Sequence, residues 1–382
     1  MSSLSASDAQ AAVITDRLDR LANAAAAAGA DAVLLGPGAD LRYFAGHSVV
    51  SHERLTALVV PAEGRPVLLV PALERAGWDG SPVEQISVRI GTWLDGQDPY
   101  QALVELVDAD LRVLALDDHL PVGHALRLQA AIPGSELRLA GELIAELRMR
   151  KEPAEIDELA AVGAAIDRVQ LRIGEWLRPG RTEHEVAADI AAAIVAEGHE
   201  RADFVIVASG ENGASPHHEA SDRVIQPGDP VVIDIGGPLP SGYNSDTTRT
   251  YLVAGGDPDP DFAAVYEVVR SAQRAAVAAV RPGVTAESID QVARQLIVDA
   301  GYGEYFITRT GHGIGLEVHE HPYVVAGNTR LLEPGMAFSI EPGIYLPGRF
   351  GIRIEDIVVV GDDGPVLMNN SPTELITVGQ AS

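Results

Sequence analysis

The 382-residue sequence predicts an α+β protein of two domains: a small α/β domain, then a larger one built from two similar halves. Three observations carry that expectation. The length suits two domains. Near Leu143–Pro153 the character changes, and the charged segment Glu146–Pro153 ends in a proline suited to a helix start at a junction. Finally, Arg178-Pro179-Gly180-Arg181-Thr182 returns as Arg281-Pro282-Gly283-Val284-Thr285, a shift of 281 − 178 = 103. The expected domains are residues 1–145 and 150–382.

Taken in order, Val13–Ala28 reads as a helix closed by Gly29, and Ala32–Leu35 as a strand ended by Gly36-Pro37-Gly38. Leu55–Val60 and Val67–Pro71 flank Glu63-Gly64-Arg65-Pro66 as a hairpin. Leu111–Leu116 reads as a strand, Gly123–Ala131 as a helix, and Ala154–Leu177 as a long amphipathic helix. In the duplicated region both threonines are N-caps with acidic residues in the next turn. Val186 then matches Ile289, Ile194 matches Ile297, and both helices stop at a glycine, Gly198 and Gly301. Gln226-Pro227-Gly228 is echoed by Glu333-Pro334-Gly335, an alignment that sets Asp234 on Glu341. Chance recurrence of a loop-helix-loop-strand pattern is the competing explanation.

Composition narrows the chemistry. A net charge of −27 argues against a nucleic-acid partner, because phosphate binding needs a basic face. With no cysteine there is no disulfide, thiolate metal site or cysteine nucleophile, so any metal must be held by Asp, Glu and His. Residues 1–21 lack an apolar signal core, and no stretch has the length to span a bilayer. A soluble cytoplasmic protein is expected, with no membrane partner.

Five residues then stand out. Asp234 ends the apolar run Val231–Ile233, and Asp246 follows twelve residues later across the turn Pro238–Gly242. Two carboxylates brought side by side repel unless a cation lies between them. His312 sits between glycines in Gly311-His312-Gly313, with a flexible loop as the alternative. Glu341 and Glu355 fall in the apolar runs Phe338–Gly343 and Ile352–Val359. In the second of these, Arg353 and Glu355 share a face while Asp356 points away, and a structural salt bridge is the bland reading of Glu355. Four carboxylates and one imidazole together call for about two divalent cations. Such oxygen-rich ligation suits manganese, with cobalt, zinc or iron as alternatives.

Asp246-Thr247-Thr248-Arg249, Gly311-His312-Gly313-Ile314-Gly315, Val318-His319-Glu320, Ser339-Ile340-Glu341-Pro342-Gly343 and Arg353-Ile354-Glu355-Asp356 resemble the motifs of the prolidase, aminopeptidase P and methionine aminopeptidase family of pita-bread fold. The resemblance covers about residues 148–378, and Asp40–Gly46 resembles the N-terminal domain of its prolidase and creatinase branch. It implies that Asp234 ligates one metal, that His312 and Glu341 ligate the other, and that Asp246 and Glu355 bridge both. It also implies that His217 and His319 flank the substrate, that Arg353 meets the substrate's terminal carboxylate, and that Glu341 shuttles the proton. Tyr243 is expected to line the pocket. His321 departs from the small residue common at its position, and either reshapes the pocket or lies on the surface.

The implied activity is hydrolysis of the bond before proline in short peptides by a homodimer. A dipeptidase is the first choice, an aminopeptidase on longer peptides the second, and a non-catalytic binding protein on the same fold the third. About 150 residues ahead of the catalytic part argue against a methionine aminopeptidase.

Overall fold

The computed structural model describes residues 6–50 and 53–379. Residues 1–5, part of the stretch read as lacking a signal core, lie outside the described residues. The chain divides into two compact units, Met1–Arg148 and Met149–Ser382. No helix among the described residues is long and apolar enough to cross a membrane.

The first unit runs α1 (Ala6–Ala27), β1 (Ala32–Leu35), α2 (Ala39–Ala45), β2 (Ala57–Pro61), β3 (Val67–Pro71), β4 (Arg89–Trp93), α3 (Pro99–Leu106), β5 (Val113–Leu116), α4 (Val122–Ala131), β6 (Glu136–Leu139) and α5 (Gly141–Arg148). Its six strands form one mixed sheet in the order β4-β3-β2-β1-β5-β6. β1, β2 and β3 are buried at every position, as their unbroken apolar runs require of central strands. Gly29 closes α1 at φ +67°, where a side chain would be strained.

The second unit continues with α6 (Pro153–Gln170), α7 (Glu183–Ala196), β7 (Phe204–Ser209), β8 (Pro230–Pro238), β9 (Asn244–Val253), α8 (Phe262–Ala279), α9 (Ala286–Asp299), β10 (Gly311–Gly313), β11 (Glu320–Val324), β12 (Ala337–Ile340), β13 (Gly343–Leu346), β14 (Phe350–Arg353), β15 (Asp356–Val360), β16 (Pro365–Leu367) and β17 (Ile376–Val378). One sheet is ordered β17-β9-β8-β7 and another β11-β10-β12-β15-β16, with β13 and β14 a separate hairpin. This is the α+β architecture expected.

Its internal repeat is real in three dimensions. α6 and α8 are both 18 residues long, and α7 and α9 both 14. Thr182 and Thr285 cap the second pair through their hydroxyls, and each joins an isolated bridge, Thr182 to Val224 and Thr285 to Leu331. Val186, Ile190 and Ile194 are buried on one helix, Ile289, Ala293 and Ile297 on the other.

Three elements of this unit differ from expectation. The helix read through Leu177 stops at Gln170. Gly174 disfavours its continuation, and the buried Gln170 amide fixes the last turn on the carbonyls of Ile233 and Thr247. The run Ile352–Val359 is not one strand. It breaks between β14 and β15, where the chain leaves the hairpin for the five-stranded sheet. The run holding Glu341 breaks likewise between β12 and β13. Both glutamates therefore sit at crossings, their backbone N–H groups held by other segments: Glu341 on the Thr310 carbonyl (2.8 Å) and Glu355 on that of Thr248 (3.1 Å).

Candidate metal centre

β8 and β9 pair antiparallel, with Asp234 opposite Thr248 and Gly236 opposite Asp246. Residues two apart share a face, so Asp234 and Asp246 are diagonal neighbours on one side of the sheet. β10 brings His312 to them. Its flanking glycines are sterically required, since a Cβ at Gly311 would fall 1.8 Å from the Ser339 carbonyl and one at Gly313 2.3 Å from that of His321. The bracketed histidine is thus in a tightly packed strand, not a flexible loop.

The five candidate ligands converge. His312 Nε2 lies 3.1 Å from Glu341 Oε1 and 3.5 Å from Asp246 Oδ2. Ligand atoms of Asp246, His312 and Glu355 all lie within 4.8 Å of one another. Glu355 is held by the Thr248 hydroxyl at 2.6 Å, Glu341 by that of Ser339 at 3.0 Å. Burial, reinforced by mutual repulsion among Glu355, Asp234 and Glu341, pushes the Asp246 carboxyl well above the ordinary range. Burial does the same to Glu355, with Glu341 and Asp234 adding to it. Burial is the largest influence on Glu341 and pushes its carboxyl up, but the hydrogen bond and charge of His312, the Arg353 guanidinium and the Ser339 hydroxyl together hold it below the ordinary range.

Two carboxylate oxygens of this cluster, Asp234 Oδ1 and Glu355 Oε1, are buried without a hydrogen-bond partner among the described residues. Orphaned oxygens of this kind are costly unless a cation meets them. Oxygen-rich donors with one imidazole suit a hard or borderline divalent ion, so the residues fit a metal centre.

The centre opens on a cavity of about 630 Å³ lined by Phe204, Ile206, His217, Ile307, Arg309 and Val318 among others. His319 lines it too, its ring edge-on to His312 at 4.2 Å between centroids. Partial burial, with His312 and Arg309 nearby, lowers its pKa and leaves it neutral at neutral pH. His217 sits in the turn after Gly210–Ala214 and is exposed to the cavity. His321 is exposed and absent from the cavity wall, in keeping with its surface alternative.

Tyr243 differs from expectation, and Arg353 lines the cavity with protein partners already in place. Arg353 is 3% exposed, and its donors go to protein groups: Asp234 Oδ2 at 2.6 Å, the Tyr345 hydroxyl at 2.8 Å, Thr248 Oγ1 at 3.1 Å and the Pro216 carbonyl at 3.2 Å. That geometry ties Arg353, which lines the cavity, to Asp234 and to the His217 turn. Tyr243 is buried with its hydroxyl on Glu155 (2.6 Å), away from the cavity. Asp356 does point away, to Arg249 at 2.6 Å.

Sequence reasoning missed two residues. Arg309 lines the cavity with its guanidinium 4.8 Å over the Tyr323 ring, and among the described residues it has no acidic partner. Its place three residues before His312 was the available signal. Glu183, at the start of α7, is fully buried. Burial would raise its pKa, yet donors from Ser209, Ser221 and His218 bring it down to about 2. Nothing in the sequence sets it apart from the other acids of that turn.

Comparison with known proteins accords with this geometry. Residues 157–362 match the model of metallopeptidase family M24, and residues 17–150 that of the creatinase/prolidase N-terminal domain. A probable dipeptidase PepE of Mycobacterium tuberculosis is 52% identical over 368 residues, covering 96% of this chain and 97% of the relative. An Xaa-Pro dipeptidase of Lactobacillus helveticus is 40% identical over 337 residues, covering 85% and 88%. The crystal structure of dipeptidase PepE from Mycobacterium ulcerans superposes with a TM-score of 0.91 at 53% identity, covering 97% of this chain and 99% of that one. The chain therefore belongs to metallopeptidase family M24, with the pita-bread fold and the divalent-metal binding that this family implies.

Proposed function

We propose that this protein is a dinuclear-metal Xaa-Pro dipeptidase, cutting the bond before proline in short peptides. The observation that carries the reading is the convergence of Asp234, Asp246, His312, Glu341 and Glu355 beside two orphaned buried oxygens, in a chain 40% identical to an Xaa-Pro dipeptidase. Asp234 would hold one cation, His312 and Glu341 the other, and Asp246 and Glu355 both. Manganese is the proposed metal, with cobalt, zinc and iron as alternatives. A homodimer and a cytoplasmic location belong to the same proposal.

Bound divalent cations would polarise the scissile carbonyl and lower the pKa of a water lying between them. The rest falls to the chain's own groups. His217 and His319 face the cavity, where their N–H groups donate to the carbonyl oxygen as negative charge grows on it. Glu341 takes the proton from the attacking water and returns it to the departing prolyl nitrogen. Phe204, Ile206, Ile307 and Val318 give the proline ring an apolar wall. Arg309 receives the terminal carboxylate in place of Arg353, a charge-assisted contact that favours dipeptides over longer chains.

The test is a panel of Xaa-Pro dipeptides and Xaa-Pro-Xaa tripeptides, assayed after reconstitution with each metal, together with Glu341→Gln. Dipeptide turnover that tripeptides do not share, and that Glu341→Gln abolishes, supports the reading. Preference for tripeptides turns it to an aminopeptidase. Full loading with metal and no turnover of either class sinks it.

A further inference from the structure

The Glu183 carboxylate makes a set of hydrogen bonds that the proposed chemistry does not use. It accepts from the backbone N–H and hydroxyl of Ser209, both at 2.7 Å, and from the Asn212 amide at 3.0 Å. It also accepts from the His218 ring at 2.8 Å and from the backbone N–H and hydroxyl of Ser221 at 3.0 and 2.7 Å. These donors begin, interrupt and end one segment, residues 209–221, which would otherwise be an irregular loop. His217 lies inside it, and among the described residues its own ring has no hydrogen-bond partner. Its neighbours are tied instead: His218 to Glu183, and the Pro216 carbonyl to Arg353 at 3.2 Å.

We infer that Glu183 is a positioning residue for His217, holding the 209–221 segment so that the His217 ring projects into the cavity. Three features support a positioning role over generic loop stability. The carboxylate is fully buried, although a surface carboxylate could cap α7 as well. Thr182 already caps that helix through its hydroxyl, so the helix does not need Glu183 for this purpose. The contacts lie on both sides of His217, on Ser209 and Asn212 ahead of it and on His218 and Ser221 after it. An imidazole that donates to a developing oxyanion must be fixed to within a fraction of an ångström, and a carboxylate with six donors supplies that rigidity.

The inference rests on the role given to His217 above, and a double-mutant cycle separates the two. Glu183→Gln, His217→Ala and the double variant are compared with the parent on one Xaa-Pro dipeptide at matched metal content. Glu183→Gln is expected to lower kcat by about 10- to 100-fold with little change in KM. In the His217→Ala background the same substitution is expected to cost less than about twofold, because there is no ring left to place. Effects that multiply across the cycle overturn the positioning role. A fully active His217→Ala overturns it as well, through the role of His217, and is recognised from that single variant alone. His218→Ala, which removes only one tie, guards against a Glu183 variant that does not fold. It is expected to give a smaller kcat loss with the same dependence on His217, and independence from His217 counts against the inference.

Discussion

Arg353 gives the sharpest test of how the acidic cluster is held. In Arg353→Met an apolar side chain of similar length replaces the guanidinium, and Asp234, 8% exposed, loses its only cationic partner among the described residues. Unpairing one member of a buried ion pair costs about 3–5 kcal/mol. The Tyr345 hydroxyl and the Pro216 carbonyl lose their donor at the same time, which places the expected cost toward the upper end, about 4–5 kcal/mol. In a unit of this size each kcal/mol corresponds to about 2–4 °C, so the melting temperature in EDTA should fall by about 8–20 °C.

Two controls tie the loss to the stranded charge. Adding Asp234→Asn removes that charge, so the double variant should melt above Arg353→Met alone. Divalent metal should narrow the gap between Arg353→Met and the parent, because a cation beside Asp234 restores the missing positive charge. Calorimetry with and without metal reads both effects. A single variant within about 3 °C of the parent in EDTA, or a double variant losing the sum of the two singles, would refute the argument.

Three further outcomes follow from the same structure. Arg309→Ala should raise KM for Xaa-Pro dipeptides by about 10- to 100-fold, the worth of one charge-assisted hydrogen bond, and leave C-terminally amidated substrates unaffected; an unchanged KM removes Arg309 from substrate binding. Glu183, whose folded pKa of about 2 lies below its ordinary 4.5, contributes stability above about pH 4.5 that is lost as pH falls toward about 2. The gap in urea midpoint between parent and Glu183→Gln should therefore narrow from about pH 6 to about pH 3, and a gap that widens contradicts the assignment. Gly351→Ala would set a Cβ 1.8 Å from the Gly213 carbonyl, so the Gly210–Ala214 turn must shift. Steady-state kinetics should show kcat reduced by about tenfold or more at unchanged metal content, whereas parent-like kcat would mean that the turn has slack.

What the sequence made legible was whatever has a local signature. The five convergent side chains were readable because each stands in an apolar run or between glycines, where an ionisable group is out of place unless something meets it. The strands β1 and β3 matched their apolar runs for the same reason. The partners of Arg353 were not legible, because Asp234 lies 119 residues away and no local pattern records whether a guanidinium is already occupied. Tyr243 failed in the same manner, its hydroxyl taken by Glu155, 88 residues earlier. The breaks before β13 and β15 escaped notice because an apolar run reads as continuous even where the chain changes sheets.

The duplication explains why the supporting carboxylates were harder to find than the ligands. Each half places a buried acid on its second helix, and each acid holds a segment that carries a site histidine. In the first half Glu183 binds the segment around His217. In the second, Asp290, fully buried, accepts from Thr310 at 2.8 Å, two residues before His312, and is braced by Nε and Nη2 of Arg294, both at 2.9 Å. The two acids are not equivalent, however, since the shift of 103 that overlays the helices sets Glu183 on Ala286. Backbone features needed for folding, the threonine caps and the buried Val186 and Ile289 positions, stayed in register between the halves. The acids did not, because a carboxylate can reach the same loop from any position on the inward helix face. Aligning the halves therefore recovers what the fold demands and passes over what each histidine separately requires.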